Sequence, residues 1–456
     1  MIPAGRIAIA CAGLLLISGI LFGTGRLTAQ AAPPTGEFTG VASCAGSTCH
    51  GRAEGNGAVV RQDEILTWQE PSAPSGAHSR AYAALAGRRG QQIADSLGIG
   101  PATAAPECLG CHTTYAPASL RGPRFQLGDG VGCESCHGAA SSWIASHYAV
   151  GGTHPANVAA GLTPLDQPQV RANVCLDCHY GSTGEGQFVT HQMMAAGHPR
   201  ISFELDLFSS LQQHHQEDAD YRQRKPASDS VRLWAVGQAE AVRRATELFA
   251  NPRYGQMGIF PQYTFYDCHS CHRGIADGPE RRLTFEANPG RPIPFGMAPF
   301  NDENIIMLSA VARVLTPERA AGFDRASRDF HAAMGQDRGA AEGAARQLAN
   351  EAGALSSALA ARGSGQGDAR RVVAAIAERA TSARFTDYAG SAQAVMAIDT
   401  MLNSLVREKV VTIGAAAGIR ADINRAYAAV GSPESYDPAA FRAALGRAAG
   451  AIGAIG

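Results

Sequence analysis

The sequence predicts a mainly α protein with extensive irregular loops, in which a cysteine-rich part is followed by an α-helical bundle tail. Three observations predict it. From Gly339 onward the chain is alanine-rich with helical periodicity. Arg273 to Pro299 is rich in Gly and Pro and reads as an extended loop. Ahead of it, between residues 44 and 272, ten cysteines fall in five closely spaced pairs, each followed by a histidine. The expected division is an export signal over 1–31, the cysteine-rich domain over 41–272, a Gly/Pro-rich linker over 273–300 and the helical domain over 301–456.

Composition narrows the function before any motif is read. The 456-residue chain has a formal net charge of −1 and a pI near 6.9, so no basic field points to nucleic acid. Charged residues make up 17% and aromatic residues 7%, and alanine inflates the 45% hydrophobic share. A conventional Leu/Ile/Phe core is thin for this length, and a core built partly from bound cofactors would resolve the shortfall. The N-terminus reads as a signal peptide: a short positive segment to Arg6, an apolar run Ile7–Gly23, and Ala29-Gln30-Ala31 as the cleavage site. The expected location is periplasmic, with a membrane anchor only if Ile7–Gly23 is retained. Cys11 lies inside that run and is set aside.

Four of the pairs are Cys-x-x-Cys-His units. They are Cys108, Cys111 and His112; Cys133, Cys136 and His137; Cys175, Cys178 and His179; and Cys268, Cys271 and His272. The other is wider, Cys44-Ala-Gly-Ser-Thr-Cys49-His50. Two thiols at this spacing can each add to a vinyl group on one edge of a haem, and the next histidine is then held beneath the iron. Disulfides would give no reason for a histidine after every pair. A zinc site would not repeat one histidine per pair, and a redox dithiol would occur once. The reading is a multihaem cytochrome c domain with five covalently attached haem c groups, the Cys44/Cys49 site resting on the least usual spacing. Its proximal ligands are His50, His112, His137, His179 and His272.

The elements follow in order. Gln62–Trp68 and Gly76–Leu85 read as short helices, with Tyr82 and Leu85 at helical spacing. Pro101–Pro106 breaks the chain before the second motif. The motifs ending at His112 and His137 are so close in sequence that their haems should pack together. Ser141–Tyr148 is a further short helix. A clear helix runs from Ser230 to Ala250, capped by Asp229 and ended by Asn251-Pro252. Asp302 opens a helix through Leu315, and Thr316-Pro317 starts another to Met334. After a break at Gly363–Gly367, helices are expected over Arg370–Phe385, Asp387–Val411, Ala421–Val430 and Pro438–Ala449. This tail holds no cysteine, and the last histidine, His331, precedes it.

Five irons need something, or a vacancy, on their distal side. His78, His147, His191 and His198 lie on short segments between motifs and are the expected distal ligands. Gly197 and Pro199 should end the helix before His198, so that His191 and His198 address different haems. His214 or His215 is left for the fifth iron. His154 is a weaker candidate. His269 sits between two motif cysteines, His331 is off the apolar face of its helix, and Met193 and Met194 read as core fillers.

Gly132-Cys133-Glu134-Ser135-Cys136-His137-Gly138 with Trp143 and His147, and Thr190-His191-Gln192-Met193-Met194-Ala195-Ala196-Gly197-His198-Pro199-Arg200, resemble the cytochrome c-554-like multihaem family. Tyr266–His272 and the helix around Ala392–Ala397 resemble its larger members. The resemblance implies an exported electron carrier with mostly bis-histidine c-haems packed for electron hopping, and low potentials. It favours His214 over His215, because the family often has His-Trp where this chain has His214-His215. The implied partners are redox proteins, a membrane quinol-oxidising complex or other cytochromes. The alternative is a multihaem oxidoreductase acting on a small nitrogen or sulfur oxyanion at a five-coordinate haem. Pentahaem nitrite reductases mark that iron with Cys-x-x-Cys-Lys, which is missing here, so no catalytic residue is assigned.

Overall fold

A computed structural model of the chain describes residues 36–54, 61–215, 217, 219–225, 228–255, 262–272, 291–292, 297–365, 367–382 and 388–455. The expected signal peptide, most of the linker and the end of the Arg370–Phe385 helix lie outside them. The described residues are mainly helical, with two isolated bridges, Phe38 to Arg121 and Tyr266 to Phe300, and no longer strand. Among them no helix is long and apolar enough to cross a membrane.

The longer helices are α1 (Pro168–His179), α2 (Ser230–Phe249), α3 (Glu303–Leu315), α4 (Pro317–Ala333), α5 (Arg338–Ala361), α6 (Asp368–Ala380), α7 (Tyr388–Arg407), α8 (Ile413–Ala429) and α9 (Pro438–Gly453). Their starts follow simple capping chemistry. The Asp229 carboxylate accepts from the Arg232 N–H at α2, and Asp337, Thr412 and Asp437 cap α5, α8 and α9 in the same way. Proline occupies the first turn of α1, α4 and α9, where its missing N–H costs nothing. α8 begins eight residues before the expected Ala421. Gly414 and Gly418 weaken its local propensity, and the burial of Ala416 and Ile419 overrides it.

One large apolar core joins α2 through α9. α2 lies inside it, packing most extensively on α5 and also against α1, α3 and α7. That core runs across the boundary expected at 272/273, because Trp234, Val236, Val242 and Phe249 of α2 are as deeply buried as Leu348 and Leu355 of α5. The loop-rich part has only small clusters of its own: Val41, Ile65 and Trp68 form one, and Leu85, Ala94, Ala102 and Leu109 another. Side chains alone therefore give residues 36–137 little core.

A buried carboxylate pins the two parts together. Glu204, 1% exposed, accepts from the N–H groups of Asp206 and Leu207 at 2.8 and 2.7 Å and from Thr400 Oγ1 of α7 at 2.8 Å. Burial, reinforced by neighbouring Asp206, pushes its carboxyl up from an ordinary 4.5 to about 8. Burial also raises Asp206. A carboxyl whose folded pKa lies above its unfolded one binds more protons when folded, so its contribution is full below pH 4.5 and is lost as pH rises through 8. Thermal unfolding should show stability falling over that window, by about 1.4 kcal/mol per pH unit at the steepest point. In Glu204→Gln the slope should shrink by half or more, and an unchanged slope would reject the assignment.

Candidate functional site

The motif cysteines are set on short turns of helix. Pro106 opens the turn Pro106–His112, Cys133–His137 is a second, and α1 ends in the third. Cys268–Ser270 is a 3-10 turn, and Cys44–His50 is a loop closed by the His50 N–H on the Cys44 carbonyl at 3.1 Å. Between Cys133 and Cys136, the buried Glu134 side chain accepts from the N–H groups of Thr39, Gly40 and Ala140 at 2.8, 2.8 and 2.7 Å. It ties the start of the described chain to the third motif. Gly110, inside the second motif, touches the 185–186 backbone so closely that a Cβ would strike it. That contact holds the second motif against the loop following the fourth.

None of the ten motif cysteines is paired in a disulfide, and they differ in burial. Eight are partly covered, whereas Cys49 and Cys271 are exposed. The sequence expects all ten as attachment points, the Cys44/Cys49 site on the least usual spacing, and exposure sets Cys49 and Cys271 apart from the other eight. The reason is local for Cys271. It stands just past the 3-10 turn, its N–H donating to the Cys268 carbonyl at 3.2 Å, and among the described residues its Sγ has a hydrogen-bonding contact only with its neighbour Ser270 Oγ, at 3.7 Å. Its partner Cys268 instead faces inward to Arg200. The fifth motif thus presents one sulfur to the protein and one to the outside.

The covered cysteines gather in neighbouring sets. The Cys44 thiol neighbours that of Cys133, and the Cys111 thiol neighbours that of Cys178, with Cys111 Sγ 4.0 Å from the Cys178 carbonyl. Cys178 Sγ also lies 3.7 Å from the Gly110 carbonyl. Motif one therefore borders motif three, and motif two borders motif four. Burial raises Cys136 to about 11 and Cys175 to about 12, keeping both protonated.

Each motif histidine faces a histidine from a distant part of the chain. Ring centroids are 6.1 Å apart for His50 and His147, 6.1 Å for His179 and His78, 6.3 Å for His112 and His198, and 6.2 Å for His272 and His191. His137 faces both His214 at 6.4 Å and His215 at 6.5 Å. Two imidazoles on opposite sides of one metal, each nitrogen about 2 Å from it, would have centroids about 6.4 Å apart. The donor set thus fits an iron between every pair. The Gly197 turn (φ 111°) separates His191 from His198, and Arg89 clamps its carbonyl at 2.6 Å, so the two rings reach different motifs. The His214/His215 pair meets the third motif, whereas the motif at 268–272 is met by His191.

The hydrogen bonds leave Nε2 as the free ligating atom. His112 Nδ1 donates to the Ala81 carbonyl at 2.8 Å, His198 Nδ1 to the Pro199 carbonyl at 2.8 Å, and His214 Nδ1 to the Gln212 carbonyl at 3.1 Å. Burial pushes His137 down to about 3 and His179 and His214 to about 4, so these imidazoles are neutral with a lone pair to offer. His50 differs. Its Nδ1 donates to Glu64 Oε2 at 2.9 Å, and this bond raises its pKa. Burial favours the neutral form of Glu64, yet hydrogen bonds from His215 and His50 prevail and hold its carboxyl low. Glu64 also lies 3.6 Å from His215 Nδ1, touching two centres at once.

Two participants were given no role by the sequence. Glu64 is one, an acid beside Asp63 and separated in the chain from both histidines it meets. Arg200, the last residue of the Thr190–Arg200 stretch, is the other. Its Nη1 donates to Cys268 Sγ at 3.1 Å and its Nη2 to Glu303 Oε1 at 3.0 Å, joining the fifth motif to the start of α3. The remaining histidines lie elsewhere. His154 pairs with Asp166 at 3.2 Å near the surface, His269 meets the Pro433 carbonyl at 2.8 Å, and His331 is buried in the bundle.

Residues 43–138 match the family model described as cytochrome c554 and c-prime. No curated protein and no solved structure matches the chain.

Proposed function

We propose that this chain, a c-type cytochrome over its matched segment, is an exported five-haem electron carrier that passes electrons between redox partner proteins. Bound haem c supplies reversible one-electron storage at its iron. The chain's residues would do the rest. The thioethers would form at Cys44 and Cys49, Cys108 and Cys111, Cys133 and Cys136, Cys175 and Cys178, and Cys268 and Cys271. The ligand pairs would be His50 with His147, His112 with His198, His179 with His78, His272 with His191, and His137 with His214 or His215. The observation that carries this reading is the repeated histidine spacing, 6.1–6.5 Å at all five motifs. Bordering thiols of motifs one and three, and of two and four, support short routes between the groups they would hold. The exposure of Cys271 and Cys49 would leave the haem edges at the fifth and first motifs open to a docked partner, the natural points of electron entry and exit.

The test is direct. Mass spectrometry of the mature protein should find five covalent haems, and four would remove the Cys44–His50 site. EPR of the oxidised protein should be wholly low-spin. A persistent high-spin ferric signal would instead favour an oxidoreductase with one open iron.

Glu64 should tune one centre. By drawing on the Nδ1 proton it makes His50 a stronger donor through Nε2, which favours ferric iron. In Glu64→Gln one midpoint potential should rise, on the order of tens of millivolts. Potentiometric titration in which all potentials stay put would count against this role.

A further inference from the structure

We propose that the helical part carries a binding site for a small, doubly charged oxyanion of the phosphate or sulfate class, in a cavity between α3, α4 and α6. The cavity has a volume of about 40 Å³ and is lined by four arginines and two aspartates among the described residues. At roughly 10–15 Å³ per water it has room for about three waters, the space a tetrahedral anion would take.

Among the described residues the lining carries two more guanidiniums than carboxylates. Asp302 is engaged by Arg291 at 2.7 Å and by His331 Nε2 at 3.4 Å. Asp324 is engaged by Arg313 at 2.5 Å and by the Ser309 hydroxyl at 2.6 Å. Two positive charges, Arg328 and Arg379, are then left on the lining. Arg379, on α6, reaches Ser309 Oγ at 3.5 Å. Lost solvation, and then the nearby Arg313, disfavour its charged form, and the attraction of Asp324 and Asp302 only partly offsets them. An anion with two charges would offset both surplus guanidiniums, and guanidinium forks suit a tetrahedral oxyanion. No residue of the five cysteine motifs lines the cavity. Ser309 and Arg313 share the face of α3 that continues from Asp302 at its N-terminus, and Glu303, which faces the fifth motif through Arg200, lies roughly 100° around the helix from Asp302. The site is thus distinct from the haem-binding centres.

The test uses the haem-loaded full chain in low-salt buffer free of phosphate and sulfate. Calorimetric titrations with inorganic phosphate, with inorganic sulfate and with singly charged nitrate are compared. Saturable one-to-one binding of phosphate or sulfate is expected, with nitrate weaker. Affinity should fall about tenfold in Arg379→Gln and in Arg328→Gln while the visible spectrum is unchanged. Arg328 is exposed, so its replacement keeps the test valid even where Arg379→Gln fails to fold. Three results would overturn the proposal: no saturable heat up to roughly 10 mM, nitrate binding as tightly as phosphate and sulfate, or equal binding by wild type and Arg328→Gln.

Discussion

The double variant His214→Ala/His215→Ala is expected to turn one low-spin ferric iron high-spin, while either single variant stays low-spin. The expectation follows from two nearly equal distances. His214 and His215 stand 6.4 and 6.5 Å from the His137 ring and 4.3 Å from each other. A shift of tenths of an ångström would let either occupy the iron's sixth position. Among the described residues no other histidine comes as near His137, so in the double variant about a fifth of the iron should give a high-spin EPR signal, and added imidazole should abolish it. Should His214→Ala alone produce that signal, His215 is held by Glu64 and cannot substitute. A double variant that remains wholly low-spin would remove both residues from the ligand set.

The second large effect concerns stability. Phe249 is fully buried at the end of α2 and meets Phe265, Phe300 and Phe330 edge-on, with centroids at 5.6, 5.8 and 5.4 Å. Such contacts combine a large buried area with favourable quadrupole geometry. Phe249→Ala should cost about 3–5 kcal/mol, lowering the unfolding midpoint by roughly 10 °C. Phe265 stands three residues before Cys268 of the fifth motif, so the centre holding His272 should be perturbed first and the spectra of the others preserved. Phe249→Leu should recover more than half the loss. Calorimetry showing less than about 1 kcal/mol for the alanine variant would mean the ring cluster is not a major part of the core.

How much of this was legible in the sequence depends on range. Asp229 before an amphipathic run and Asn251-Pro252 after it announce α2, because capping and chain breaking act within a few residues. Gly414 and Gly418 hide the start of α8, because local propensity there opposes what tertiary burial of Ile419 demands. The motif histidines are legible from spacing alone. Their partners are not, since His78 meets His179 and His147 meets His50 across long stretches of chain, and only folding sets those encounters. The Gly197–Pro199 turn is intermediate: sequence shows that His191 and His198 diverge, but not that they reach His272 and His112. Spacing also cannot tell Cys271 from Cys178, although the fold exposes one and covers the other. Glu64 has no motif of its own and Arg200 only closes one, because a charged residue gains its role from whichever histidine or sulfur the fold delivers to it.

The placement of α2 bears on what kind of object this protein is. The helix precedes the fifth cysteine motif in sequence, yet its apolar faces are closed by helices that follow it, above all α5. A cut through the 273–300 stretch would divide one continuous apolar core in two. The cysteine-motif region and the bundle are therefore not interchangeable parts joined by a tether. The bundle owns a helix that lies upstream of the fifth cysteine motif, and that motif, through Arg200 and Phe265, is built into the bundle's wall.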